Sequence, residues 1–324
     1  MIVRWGLEEL EGVLDELGCR RALLITSERF VGLDLPVAAR FLGVRRHAPV
    51  ESVASATEEA STADCLVALG GGSAMDTGKA VSAGTGLQLL AIPTTYSGAE
   101  WTTYFGSRDE ARGVKTGGSG TNTVAIVYEP RLTLDLPLGE TVGTALNALA
   151  HCAEALYVDL HNADGDREAL AGAPLIGTWL PEVVARPLDL RARTRLLEGA
   201  MHAGAALAFS GLALAHALAQ ALGGRYGLPH GAMNALSLPP ALRFNEPAVP
   251  DAVSRFGEAL GATQAAGRVE ELAALGSFGP LRDWGVPEED LRELAAAVVA
   301  RPGTRANPRP VTVEDAEELL RSIW

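Results

Sequence analysis

Short apolar runs alternating with helical patterns constrain this chain most. Residues 22–26, 64–69, 87–92 and 123–128 each read as a strand too apolar to keep one face in water. Strands buried on both faces belong to a parallel sheet covered by helices on each side. The second run leads straight into Gly70-Gly71-Gly72, the third ends at Pro93, and Glu129-Pro130 stops the fourth. Beyond Leu136-Pro137 no strand pattern follows. The remainder is Ala-rich and helical, with breaks expected at Gly172-Ala173-Pro174, Ala185-Arg186-Pro187, Gly223-Gly224, Leu238-Pro239-Pro240 and Asn245-Glu246-Pro247. The expectation is an α/β domain over residues 1–135 and an all-α domain over 136–324.

Composition narrows the class. A length of 324 residues suits about two domains. A hydrophobic share of 48% with 21% charged residues excludes a disordered chain. Forty acidic against 27 basic residues, a net charge of −13, argues against a sequence-independent grip on nucleic acid. Only Lys79 and Lys115 are lysines; the other basic residues are arginine. An ammonium kept in so arginine-rich a chain is a candidate for a place that a guanidinium does not fill. Cys19, Cys65 and Cys152 form no CxxC pair, so neither a disulfide framework nor a thiolate zinc site is indicated. The first residues lack a signal-peptide pattern, and the apolar stretch near 200–222 carries His202, His216 and Gln220. It reads as a buried helix rather than a membrane span, and the chain as cytoplasmic.

Two loops point to a nucleotide. Gly70 to Lys79 follows a strand and opens a helix, where close backbone approach and free N–H groups suit a pyrophosphate. The spacing is neither GxGxxG nor a Walker loop. Pro93-Thr94-Thr95-Tyr96-Ser97 ends the next strand, and ligands of open α/β sheets sit at such carboxyl ends. The first strand ends at Thr26-Ser27-Glu28-Arg29, where Ser27 takes the position of a ribose-binding carboxylate, which permits NADPH as well as NADH. Among six histidines, three have informative company. Asn147 and His151 are four apart on one helix face, His216 and Gln220 repeat that spacing, and His230 follows 14 residues after His216. Three imidazoles suit Zn or Fe(II), although a carboxylate usually completes such a set and Asn147 stands in its place.

Together these segments resemble the iron-containing, group III alcohol dehydrogenases, and within them the maleylacetate reductases. The resemblance rests on Gly70–Asp76, Ala91–Glu100, Gly113-Val114-Lys115, Leu132–Pro137, Leu146–His151, Leu222–Gly231 and the ending Asn307–Thr312, and runs from about residue 20 to the end. It implies a dehydroquinate synthase-like fold: a dinucleotide-binding α/β domain with a parallel sheet, an all-helical domain, and a cleft between them. It implies that Gly71, Gly72, Ser73, Asp76, Thr94, Thr95 and Lys115 line NADH or NADPH, joined by Ser27. It also implies that Asn147, His151, His216 and His230 occupy the family's metal positions, with doubtful occupancy by Fe or Zn because Asn147 replaces an aspartate. Gln220 stands where family members carry a proton-relaying histidine, and an amide does not trade a proton near neutrality. His151, His216, His230 and Gln220 are therefore the catalytic candidates. The segment near 30–50 is shorter than usual for the family.

Three functions stay open at this stage: an NAD(P)H-dependent reductase of an oxo or enone acid, a metal-dependent alcohol or aldehyde reductase, and a nucleotide-binding homologue without turnover. An acidic substrate needs cations, for which Arg108, Arg112, Arg225 and Arg243 are candidates. The resemblance implies a homodimer acting on small molecules, with no nucleic-acid or membrane partner. Lys79 reads as a solvated helix residue.

Overall fold

The computed structural model describes residues 1–109, 112, 114–120 and 123–324, with the side chains of Val114 and Lys115 outside that description. The chain divides into two compact units. One comprises Met1–Thr95 and Ala99–Thr133; the other comprises Tyr96–Gly98 and Leu134–Trp324.

The first unit is built on β1 (Ile2–Trp5), β2 (Ala22–Ile25), β3 (Ala39–Phe41), β4 (Cys65–Gly70), β5 (Gln88–Pro93) and β8 (Thr123–Tyr128), paired in the order β1-β8-β5-β4-β2-β3. Every pairing is parallel. β6 (Tyr104–Asp109) and β7 (Val114–Ser119) form a separate antiparallel hairpin. β2 and β4 are buried along their whole length, as apolar runs with no polar face require. The sequence pattern missed β1, β3 and the hairpin. β1 and β3 are short edge strands of half-buried residues, and β6 and β7 mix Gly, Ser and charge, so none carries a strong strand signature.

Three helices accompany this sheet: α1 (Leu10–Glu16), α2 (Val50–Glu59) and α3 (Gly72–Thr85). Gly78 lets α3 lie close on β4, because a Cβ there would sit 2.8 Å from the Ala68 methyl.

Lys79 corrects an expectation. It is not solvated but 1% exposed. Its ammonium donates to the Ala99 carbonyl, to Thr102 Oγ1 at 2.8 Å and to the Tyr104 carbonyl at 3.0 Å. Three donors meet three acceptors, so a compact ammonium ties α3 to the segment entering the hairpin, and a planar guanidinium fork would not match that geometry. Burial drives its pKa down to about 8, against the opposing pull of Asp76 and Glu100.

The second unit is helical: α4 (Leu138–Ala155), α5 (Ala163–Ala185), α6 (Leu190–Phe209), α7 (Leu214–Tyr226), α8 (His230–Asn245), α9 (Pro250–Ala259), α10 (Ala265–Ala274), α11 (Leu291–Val299), α12 (Pro302–Arg305) and α13 (Val313–Ser322). Two expected breaks fall at helix ends, after Ala185 and after Asn245. The other three do not break the chain. α5 runs through Gly172, Pro174 and Pro181, α7 through Gly223-Gly224, and α8 through Pro239-Pro240. Each proline forfeits a backbone hydrogen bond, and here buried packing overrides the local propensity. Among the described residues no single helix is long and apolar enough to cross a membrane; α6 and α7 would qualify by composition only as a pair, and they bend by 98°.

Replacing Lys79 by Met strands three acceptors and should cost about 3 kcal/mol in urea unfolding, at roughly 1 kcal/mol each. The native ammonium titrates near 8 and its unfolded counterpart near 10.5. Between those values the unfolded chain binds the extra proton, so wild-type stability should rise with pH there, and the Lys79→Met variant should lack that rise. A loss under about 1 kcal/mol would show that these bonds do not hold the segment.

Candidate active site

The glycine loop takes its shape from three residues. Gly70 ends β4 at φ +147, a backbone conformation that side chains rarely adopt, and a Cβ there would press on the Ala74 methyl at 2.8 Å. Gly71 is the extended residue capping α3, and its Cβ would meet Thr95 Cγ2 at 2.9 Å. Gly72 begins the helix with open space around it. Ala74 N–H and Met75 N–H turn back onto the Gly71 carbonyl. The Ser73 hydroxyl accepts from the His47 N–H at 3.1 Å. Thr94 N–H donates to the Gly70 carbonyl, which sets the two loops side by side. A 14-residue helix starting at a glycine that leaves room above its first N–H groups is the cradle an anionic diphosphate needs. Ser27 is half-buried just beyond β2, and Asp76 is half-buried on α3. Lys115 pairs through its backbone with Arg108 in the hairpin, and its side chain lies outside the described residues.

The histidines assemble on α4, α7 and α8. His151 and His216 stack with ring centroids 4.7 Å apart and an interplanar angle of 12°, and His230 tilts against His216 at 5.8 Å. His151 and His216 are buried, whereas His230 is exposed and opens the cluster to solvent. Asn147 donates through Nδ2 to the Ser97 carbonyl at 2.9 Å, which fixes its Oδ1 towards the rings. That oxygen meets His216 Nε2 at 3.2 Å and accepts from Asn234 Nδ2 at 2.8 Å. The other nitrogen of His216, Nδ1, lies 2.7 Å from Glu154 Oε2. Both ring nitrogens therefore face oxygen atoms, which fixes the orientation of the ring. His230 Nε2 faces the Asn234 amide donor at 3.0 Å and so acts as an acceptor. Burial, reinforced by His216 and His230, holds the His151 pKa well below the usual histidine range, so this ring is neutral. His151 Nδ1 and Asn234 Oδ1 are buried without a partner. Gln220 lies one helical turn beyond His216 and is half-buried.

Three further residues, outside the sequence motifs, complete the cluster. Glu154, fully buried, accepts from His216 Nδ1, from the Ala213 N–H at 2.8 Å and from the His216 N–H at 3.2 Å. It lies seven residues after Asn147 and three after His151, on the same helix face, and that spacing is legible in retrospect. Asn234 lies four residues after His230. Arg193, 2% exposed, donates to the Tyr96 hydroxyl and Thr141 Oγ1, both at 3.2 Å, and to the Pro187 and Leu134 carbonyls. It thereby anchors the short segment whose Ser97 carbonyl orients Asn147.

Matches to two family models decide the kinship. Residues 3–128 match the iron-containing alcohol dehydrogenase model, and residues 141–324 match the C-terminal model of the Fe-containing alcohol dehydrogenase family. The chain belongs to the iron-containing alcohol dehydrogenase family. It is an NAD(P)-dependent oxidoreductase. The maleylacetate reductase of Burkholderia cepacia is 36% identical over 335 residues, covering 98% of this chain and 93% of that protein. Among solved structures, maleylacetate reductase from Rhizobium sp. strain MTP-10005 superposes with a TM-score of 0.91 at 34% identity, covering 100% of this chain and 95% of that one. The Agrobacterium tumefaciens enzyme of the same name gives 0.91 at 32% identity, with the same coverage.

The iron in the family's name finds a poor home in this donor set. The four positions supply one amide and three imidazoles, and no carboxylate, so they bring no negative charge to a divalent cation. Asn147 Oδ1 and His216 Nε2 are spent on each other, and His230 Nε2 on Asn234. Among the described residues, the one group of three His, Cys, Asp or Glu donors within 4.8 Å of one another is Cys19, Asp64 and Cys65, in the other unit. An Asn147→Asp variant should gain stoichiometric Fe or Zn by elemental analysis after dialysis, while the wild type stays well below one ion per chain. A wild type that retains one ion through dialysis would show that the amide set suits a metal after all.

Proposed function

We propose that the protein reduces an oxo or enone dicarboxylic acid of the maleylacetate kind, with NADH or NADPH as the reductant. What carries this reading is the amide at 147, held by Ser97 and bonded to His216, in a chain similar along its whole length to maleylacetate reductases. In this reading Gly71, Gly72, Ser73, Asp76, Thr94, Thr95 and Lys115 hold the nucleotide, and Ser27 faces its ribose. Bound NAD(P)H supplies the hydride.

The chain's own residues then handle charge and proton. Reduction of an enone leaves negative charge on the oxo oxygen, and that charge needs a donor. His216 Nε2–H is the donor, aimed by Glu154 at Nδ1 and released from Asn147 when substrate takes its place. His151, held neutral, packs flat against His216 and leaves its partnerless Nδ1 for a hydrogen bond to substrate or to an ordered water. His230, at the exposed rim, accepts from Asn234 and exchanges protons with solvent. Gln220 hydrogen-bonds without transferring a proton. The working form is a cytoplasmic homodimer acting on small molecules, with no nucleic-acid or membrane partner.

Two measurements test the reading. Oxidation of NADH and NADPH should be followed with maleylacetate and a small panel of oxo acids; nucleotide binding without turnover of any of them would overturn it. Glu154→Gln should lower kcat about 100-fold while the nucleotide Kd stays unchanged, because the carboxylate bonds to the His216 ring and the start of α7 and to no residue of the nucleotide loops. An equal loss of nucleotide affinity would place Glu154 in general scaffolding instead.

A further inference from the structure

An acidic substrate needs a cation, and three of the four arginines singled out from sequence are paired with carboxylates. Arg225 pairs with Asp290 at 3.1 Å and Glu293 at 2.7 Å. Arg243 pairs with Glu270 at 2.7 Å. Arg112 pairs with Asp109 at 3.5 Å, and Arg108 lies in the hairpin of the other unit.

Arg301 differs from all of them. It is half-buried where α11 gives way to α12, and no carboxylate lies within 4 Å of its guanidinium among the described residues. Its single side-chain hydrogen bond runs from Nη2 to the Gln220 carbonyl at 3.2 Å. That carbonyl lies within α7, so four of the five N–H donors stay unspent. Burial alone acts on it, lowering its pKa, yet a guanidinium stays charged. A half-buried guanidinium whose unspent donors are not sealed from solvent is placed to receive an anion in bidentate geometry.

The surroundings hold this guanidinium in place. Gly224 faces it so closely that a Cβ there would sit 3.2 Å from Nη2. A glycine inside a helix costs about 1 kcal/mol relative to alanine, and here it makes room for the arginine. Gly303, two residues after Arg301, packs against the Ala213 carbonyl just before α7. Asn245 and Asn307 exchange amide hydrogen bonds at 2.9 and 2.7 Å, fixing the segment that follows.

His216, Gln220 and Gly224 follow one another at four-residue spacing along α7, so Arg301 lies one to two turns from the reacting ring. Four residues rise about 6 Å. A six-carbon oxo diacid has its carbonyl and its distal carboxylate separated by a comparable length.

We propose that Arg301 binds the distal carboxylate of the substrate, so that the enzyme selects dicarboxylates by measuring the distance from His216 to Arg301. This rests on the reductase reading above for the identity of the substrate, but its test does not need turnover. Calorimetry with maleate, an unreactive dicarboxylate, should show binding to the wild type and about 100-fold weaker binding to Arg301→Met, the loss expected for a charge-assisted, bidentate contact. Arg301→Lys should recover part of it. Gly224→Ala, which displaces the guanidinium while keeping its charge, should weaken maleate less than Arg301→Met does. In turnover, Arg301→Met should raise KM for the diacid and leave the monoester, methylated at the distal carboxylate, unaffected. A merely structural arginine would instead lower kcat for both substrates and reduce Tm. Equal maleate affinity in wild type and Arg301→Met, or no maleate binding to either, would overturn the assignment. Failure of the wild type to reduce any oxo acid, with maleate discrimination intact, would overturn the reductase reading and leave Arg301 as a dicarboxylate anchor.

Discussion

The helical unit depends on one buried carboxylate. Removing an ionised group from water costs several kcal/mol unless it is fully satisfied, and Glu154 is fully buried. It is satisfied by the N–H groups of Ala213 and His216, where α7 begins, and by the His216 ring. A helix start is the place where an anion is favoured, because the first N–H groups have no partner within the helix and the helix dipole is positive there. α6 and α7 meet at a 98° bend, so the chain arrives at that start from across the helix axis rather than along it. Glu154 thus caps the bend and orients the His216 ring with the same two oxygens. Asn147, His151 and Glu154 share a face of α4 because both tasks are performed from there.

The other buried charges follow a different rule. Lys79 and Arg193 are nearly inaccessible, and each is met mostly by neutral carbonyls and hydroxyls. Neutral acceptors spread over several segments hold those segments together without introducing a second charge. Lys79 does this beside the hairpin, and Arg193 does it around Tyr96. Both belong to the scaffold: Lys79 commits all three of its donors to it and Arg193 four of its five.

Legibility from sequence followed burial and locality. The inner strands β2, β4, β5 and β8 could be read because residues apolar on both faces leave a continuous run. The edges β1 and β3 could not, because half-buried strands of three or four residues look like loops. Asn147 with His151, and His216 with Gln220, were visible because helix spacing is local. Glu154 offered the same local signal, a lone carboxylate among alanines and leucines. Arg193 and Arg301 offered none. Each acts on residues about 80 to 100 positions away in sequence, and nothing near them in sequence marks that contact. The prolines of α5 and α8 misled for the opposite reason, since local propensity yielded to the packing of long buried helices.

The chain leaves the sheet unit after Thr95, contributes Tyr96, Ser97 and Gly98 to the helical unit, and returns at Ala99. Those three residues supply the hydroxyl that Arg193 holds and the carbonyl that orients Asn147. Separating the units with one cut near Thr133 would therefore leave the helical fragment complete in helices but without the peptide that sets its central amide. In evolutionary terms the two halves are not interchangeable cassettes. A recombinant that borrowed the helical half from a relative would carry a mismatched tripeptide beside Asn147 and Arg193 unless residues 96–98 travelled with it.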